Sequence, residues 1–361
     1  MPAEEERRKR RGISWRRLLK SLISCKTSRP ERLADEAAQP PQPPIPFPSF
    51  SVRGLEFRLL GPLGSGAYGD VFLARCPERP PPPLPHLLAL KLHTRARPPA
   101  CPPPDFAASQ RLARALAGPP HPLIVGLLGH VTTHGSDRLT LMEFCHRGDL
   151  QRAAGRCWEA EAAFVSLEVA EALGHLHERG VCHLDVRPCN VLLSGPGHCR
   201  LADFSLADFR PPGRQLELRA RFACRADCGS DWLPPEIRRD GRPSPAGGFT
   251  DWFGLGALAA SLLAADHSED VGSPDFRHFV SRLRCPQPGH RLGSQGGVAE
   301  VLSHGFVTGR AARLLEIPLL PAAEADGGGV AGLRDLLRRQ RLRPPDRLLR
   351  LVPELGTAGA E

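Results

Sequence analysis

The sequence predicts an α+β chain of two lobes, the first β-rich and the second mainly helical. Three observations predict it. Short apolar runs of strand length, VFLAR, LLALKLH and LTLMEF, are broken by glycine and proline between residues 55 and 150. Beyond them the period turns helical: AAFVSLEVAEALGHLHERG, residues 162–180, repeats its apolar side chains through Phe164, Leu167, Ala170, Leu173 and Leu176 and stops at Gly180. Finally, 361 residues at 41% hydrophobic content are enough for two lobes with cores of their own. Residues 55–150 are assigned to the first lobe, with a hinge near its end, and 151–315 to the second. Residues 1–50 are basic and then proline-rich (QPPQPPIPFP), a composition that predicts disorder. Residues 316–361 form a basic tail with a glycine-rich break and no readable motif.

Composition excludes several classes. No apolar run reaches membrane-spanning length and the basic N-terminus lacks an apolar signal core, so neither a transmembrane nor a secreted protein is expected. The eleven cysteines include no C-x-x-C pair and no Cys/His quartet at zinc spacing, which suits free thiols. Cys224 and Cys228 are the one near pair. The net charge of +9 is concentrated in RRKRRGISWRRLLK and RDLLRRQRLRPPDRLLR, and no recognised nucleic-acid module accompanies it, so specific nucleic-acid binding is not expected. Within residues 13–24, ISWRRLLKSLIS either forms a basic amphipathic helix for a membrane surface or partner groove, or simply adjoins an import signal RRKRR.

A bias within the basic residues supplies the first strong clue. Of 48, only Lys9, Lys20, Lys26 and Lys91 are lysine, so Arg has replaced Lys nearly everywhere and Lys91 stands alone after residue 26. Upstream, LLGPLGSGAYGDVFLAR carries Gly64, Gly66 and Gly69 as G-x-G-x-x-G, followed by Val71. Glycines in a turn between strands let backbone N–H groups approach phosphates that Cβ atoms would obstruct. A dinucleotide fold would need a helix after the glycines; VFLAR is strand-like instead. Strand, glycine turn, strand, then a strand with Lys is the order in which an ammonium reaches the α/β-phosphates of ATP.

The segments that follow keep to that order. LTLMEFCHRGDL, residues 139–150, reads as a strand running into a hinge, with Met142 at the back of a pocket and Glu143 and Cys145 where backbone meets an adenine edge. After the long helix comes HLDVRPCNVLL, residues 183–193, with the pattern H-x-D-x-x-x-x-N, then a strand, a turn at SGPGH, a strand CRLA and the triplet Asp203-Phe204-Ser205. Asp203 lies eighteen positions beyond Asp185.

Over roughly residues 55 to 310 these motifs resemble, in order and spacing, the eukaryotic-type protein kinases. LPPEIRR resembles the A-P-E segment with Glu236 as its acid, DWFGLGALAASLL the helix whose Asp251 braces the catalytic loop, and HRLG carries Arg291 as a partner for Glu236. The resemblance implies a bilobal kinase-like fold, ATP and Mg²⁺ as cofactors, and serine or threonine side chains of proteins as substrates. By the same resemblance Lys91 is the cation on the nucleotide and Asp203 and Asn190 are the Mg²⁺ ligands. Asp185 is the general base, Arg187 sits near the γ-phosphate, and His183 holds the loop by hydrogen bonding. The HLD loop, the Cys before the Asn and the phrase ADFSL are similar to the tegument serine/threonine kinases of alphaherpesviruses, in the conserved herpesviral kinase group; that implies host nucleus and virion tegument as locations. RLGSQGGVAEVLSHGFV instead resembles the C-lobe end of cellular kinases of the AGC type.

Three departures bear on activity. DFAASQRLARALAG, residues 105–118, has no Glu to pair with Lys91, leaving Gln110, Asp105 or Asp203 for that role. Leu184 replaces the arginine that reads a phosphorylated activation loop, so switching by that route is not expected. Ser205 replaces a glycine, and its Cβ makes a backbone flip of the triplet harder. An active kinase is the leading reading, with a nucleotide-binding scaffold and a divergent cellular kinase as alternatives.

Overall fold

The structure, a computed structural model, describes residues 49–52, 55–66, 69–76, 85–93, 115–116, 120–132, 138–209, 232–240, 248–263, 272–314 and 350. The chain divides into two compact units, one holding residues up to Arg95 together with Leu127–Phe144, the other Ala96–Gly126 and the chain from Cys145 to Gly356. Expectations for residues 13–24, for Asp105 and Gln110 and for Cys224 and Cys228 lie outside the described residues.

The first unit is a six-stranded sheet. Its strands are β1 (Ser49–Val52), β2 (Leu55–Gly66), β3 (Gly69–Arg75), β4 (Leu87–His93), β5 (Leu127–Thr132) and β6 (Arg138–Glu143). They lie in the order β1-β2-β3-β4-β6-β5, every pair antiparallel. Because side chains alternate along a strand, one face collects Phe57, Leu59, Phe72, Leu88, Leu90, Leu92 and Leu141 into a buried apolar cluster. The opposite face of β4 carries Ala89, Lys91 and His93. Register puts Val71 beside Lys91 and Lys91 beside Thr140, with Leu73, Ala89 and Met142 in the next row. Gly69, at φ +149, adjoins β4 so closely that a Cβ would strike the Leu92 carbonyl.

Two buried helices organise the second unit. Helix α1 (Glu159–Glu178) is covered on nearly every side and α3 (Gly248–Leu262) almost as fully, the signature of helices that cross a core rather than lie on a surface. Glu161 accepts the Trp158 N–H at 2.7 Å at the start of α1, and the Gly180 N–H closes its end on the His177 carbonyl at 3.0 Å. Around them pack α2 (Pro235–Asp240), α4 (Pro274–Leu283), α5 (Gly297–Leu302) and α6 (Gly305–Leu314). Short strands carry the polar loops: β7 (Gly148–Asp149), β9 (Val191–Leu193) and β10 (Cys199–Leu201) form one sheet, and β8 (Val181–Cys182) pairs with β11 (Asp208–Phe209). Helix α3 rises directly beneath the loop after β8, where Gly254 faces Val186 so tightly that any side chain would collide. A β-rich unit and a helical unit make up the α+β, bilobal kinase fold that the motif order implies.

Among the described residues no helix is long and apolar enough to cross a membrane.

Candidate active site

The sheet face of the first unit gathers the residues the sequence singled out there. Val71, Lys91 and Met142 share it, as their register and the two-residue alternation require. Lys91 is 7% exposed, so its stem is buried in the sheet. Beside Lys91 on β6, Thr140 Oγ1 meets His93 Nε2 at 2.7 Å and His130 Nδ1 at 3.0 Å. Glu143 ends β6 opposite Leu88. Gly64 pairs with Val71 and its Cβ direction is open, with no atom within 4 Å. Gly69 has a structural reason of its own beside the one the sequence suggested: the close approach of β4 excludes a side chain there, whatever binds above the turn.

In the second unit Cys145 is buried and its carbonyl accepts the Gly148 N–H at 3.2 Å, shaping the turn before β7. The loop from His183 to Asn190 is held from below and from the side. Below it lies Asp251, 1% exposed, whose Oδ2 accepts the His183 N–H at 2.9 Å and whose Oδ1 accepts the Leu184 N–H at 2.6 Å. His177 Nε2 meets the same carboxylate at 2.8 Å. Burial alone would raise the Asp251 carboxyl, but the His177 bond, electrostatic attraction to the His177 and His183 rings and the Leu184 N–H outweigh it and hold the group below its usual value.

From the side, His183 ties the loop to the strand that delivers Asp203. Its Nε2 donates to the Ala202 carbonyl at 2.9 Å and its Nδ1 accepts the Asp185 N–H at 3.2 Å. Both ring nitrogens are spent on structure. The Ala202 N–H in turn donates to the Asn190 carbonyl at 2.8 Å, so the residue before Asp203 is gripped on both of its backbone groups. Phe204 packs its ring against His183 edge to face, with centroids 5.0 Å apart.

Asp185, Asn190 and Asp203 are thereby brought to one place. The Asn190 amide donates to the Asp185 carbonyl at 2.8 Å and also to the Asp185 carboxylate, which turns its Oδ1 the other way. Asp203 adopts a left-handed backbone at φ 58, and its Oδ1 accepts both the Ser205 N–H at 3.2 Å and the Ser205 hydroxyl at 2.6 Å. The other non-glycine residue with positive φ among those described is Leu184, at φ 63. Such backbone persists where surroundings over-determine it, and it gathers at functional sites. Arg187 caps the turn Pro188–Asn190 and sets its guanidinium 5.7 Å from the Trp232 ring.

These donors fit a hard divalent cation. Mg²⁺ prefers oxygen, keeps several waters and needs only one or two protein carboxylates. An amide oxygen turned out by its own NH₂ bonds and a carboxylate fixed at one oxygen by Ser205 meet that requirement. Among the described residues no cluster of three or more His, Cys, Asp and Glu side chains competes for a softer metal.

Further out, Glu236 and Arg291 pair through two parallel bonds of 2.7 and 2.6 Å, with Arg291 wholly buried. His177 escaped the sequence reading, as did a buried set in which Glu168 accepts from the Cys199 N–H at 2.7 Å and meets His198 Nδ1 at 2.7 Å. Their partners lie 30 to 74 positions away, so no local pattern announces them.

Comparison with known proteins agrees with this geometry. The Protein kinase domain pattern matches residues 57–268. The chain is 28% identical over 296 residues to human mitogen-activated protein kinase kinase kinase kinase 3, covering 73% of this chain and 30% of that protein. It is 30% identical over 284 residues to mouse protein kinase C eta type, covering 71% and 39%. Against chicken ribosomal protein S6 kinase 2 alpha it is 28% identical over 277 residues, covering 70% and 35%. It therefore spans about a third of the length of these curated relatives. With the family pattern on more than half of the sequence, the chain belongs to the protein kinase domain family.

Proposed function

We propose that this chain is an active serine/threonine protein kinase that moves the γ-phosphoryl group of ATP to protein hydroxyls. The observation that carries the reading is the second unit's loop, in which His183, Asp251 and Ala202 hold Asp185, Asn190 and Asp203 together by buried hydrogen bonds. Phosphoryl transfer is mostly positioning and charge neutralisation, so a loop fixed this well is what the chemistry asks of a protein.

In this reading Asp185 orients the substrate hydroxyl and takes its proton late in transfer. Arg187 supports charge near the γ-phosphate, and Lys91 supplies the ammonium for the nucleotide phosphates from the sheet face it shares with Val71 and Met142. Gly64, Gly66 and Gly69 form the phosphate turn; Met142, Glu143 and Cys145 are the adenine-side residues. Asn190 and Asp203 would hold Mg²⁺, which neutralises phosphate charge when bound. Ser205 keeps the Asp203 carboxylate aimed.

The HLD loop, Cys189 before Asn190 and the ADFSL phrase support a role as an alphaherpesvirus-type tegument kinase acting in the virion and host nucleus. The cellular names of the relatives favour a divergent cellular kinase instead. Recovery of the chain from purified virions would decide for the first.

The test of the enzyme itself is Mg²⁺-dependent transfer of labelled phosphate from ATP to a protein substrate. The parent should transfer and Lys91→Met should not. Equal background in both would leave a nucleotide-binding scaffold as the better account.

A further inference from the structure

On the second unit, away from the loop just described, α2, α3 and α4 enclose an open groove of about 620 Å³. Its apolar surface comes from Phe253, Phe276 and Val280, and three arginines, Arg238, Arg277 and Arg284, stand around it. Among the described residues no acidic side chain lines it. Two acids adjoin lining residues in sequence: Glu236 is turned inward and bound at both oxygens by Arg291, and Asp275 is exposed in the first turn of α4 and does not line the groove. Arg277 donates to the Gly272 carbonyl at 2.8 Å, a bond that orients its guanidinium. Arg284 lies 5.5 Å over the Phe253 ring, so the cation and the aromatic wall are one surface.

We propose that this groove is a docking site for an acidic segment of a partner protein, anchored by an apolar side chain. The walls would reject a fully hydrated small anion, and the arginines would reject a purely apolar or basic segment. An occupant with leucine- or phenylalanine-like anchors between carboxylates satisfies both. Guanidinium groups suit it because their fork geometry takes a carboxylate through two bonds. A groove of this volume is in the range that accepts a few side chains. Nothing in the phosphotransfer chemistry uses these residues, so the groove is free to select which proteins the enzyme meets. As a substrate handle it rests on the kinase reading; as a binding site it does not.

The experiment uses the full chain carrying Lys91→Met, so that binding is read without turnover. A fluorescein-labelled peptide of repeated Glu-Glu-Leu-Phe units is titrated with protein and followed by anisotropy. Saturable binding is expected, weakened about tenfold or more, roughly 1.4 kcal/mol, by Arg238→Glu with Arg277→Glu. Ser281→Trp fills the exposed edge of the groove without changing its charge and should weaken binding as well. Arg152→Glu with Arg156→Glu makes the same charge change at exposed sites elsewhere and should leave binding intact. Equal affinity in the groove variants and the parent overturns the proposal. So does equal weakening in the Arg152/Arg156 control, which would mean bulk charge alone. A Lys-for-Glu peptide or a thymidine oligonucleotide binding as tightly as the acidic peptide also overturns it. With catalytically competent protein, the same groove variants should raise KM for dephosphorylated β-casein and leave kcat unchanged.

Discussion

The glycine turn at residues 64–69 and the loop at 183–190 are built in opposite ways. The described residues of the turn are open: Leu63 is 38% exposed, no atom stands within 4 Å of the Cβ direction at Gly64, and Ser65 Oγ donates to Asp70 at 2.5 Å. The loop is the reverse, with His183 and Leu184 buried and their N–H groups both on Asp251. A segment that must present backbone to phosphates gains from having few side chains. One that must fix a carboxylate at a reacting hydroxyl gains from many hydrogen bonds. The contrast says where stability and function should part company under mutation.

The largest effect is expected at Asp251. Asp251→Ala strands two buried N–H groups and the His177 ring, which should cost about 3–5 kcal/mol in unfolding free energy and most of the turnover. Urea titration with an activity assay checks both. Asp251 also sets a pH dependence. Its folded pKa is depressed, so its contribution is complete above the unfolded value of about 3.9 and is lost as pH falls through the folded one. The stability gap between the parent and Asp251→Asn should therefore narrow in acid below about pH 3.9. A gap independent of pH would remove the charged carboxylate from the account.

The two glycines sharpen the contrast. Gly69→Ala, with a left-handed backbone and the Leu92 carbonyl in the way, should destabilise by about 1–3 kcal/mol. Gly64→Ala has open space and should stay within about 0.5 kcal/mol while raising KM for ATP. Thermal melts and ATP titrations on the pair separate the two roles. If Gly64→Ala melted early and Gly69→Ala did not, the register between β3 and β4 would have to be reconsidered.

The smallest effect concerns Leu184. Its side chain is buried at 6% exposure, where a phosphate-reading loop would present a cation. Treatment with a broad phosphatase should leave most activity in place, and loss of most of it would show that the enzyme is switched on by phosphate after all.

Much of this contrast was legible in the sequence because it is local. The glycine turn between strands was readable from its spacing, and the lone lysine in an arginine-rich chain marked β4; the register then showed Val71, Lys91 and Met142 on one face. Helix α1 was readable from its period, and Asp251 and Arg291 from motif order. What stayed hidden depends on chain segments far apart in sequence. The Glu168–His198 pair, the hold of His177 on Asp251 and the reason for Gly69 all arise only when distant strands and helices meet. Ser205 shows the same limit: its Cβ was the readable feature, whereas its hydroxyl on Asp203 is what the structure uses.

The central claim, that the braced loop exists to place Asp185 at a reacting hydroxyl, is tested most directly by Asp185→Ala. Steady-state turnover and nucleotide affinity should be measured on the same preparation. The account predicts near-parental ATP affinity with turnover lower by about 10²–10⁴-fold, the usual range for losing a positioned acid–base group. Turnover equal to the parent's, with the loop still folded, would contradict it.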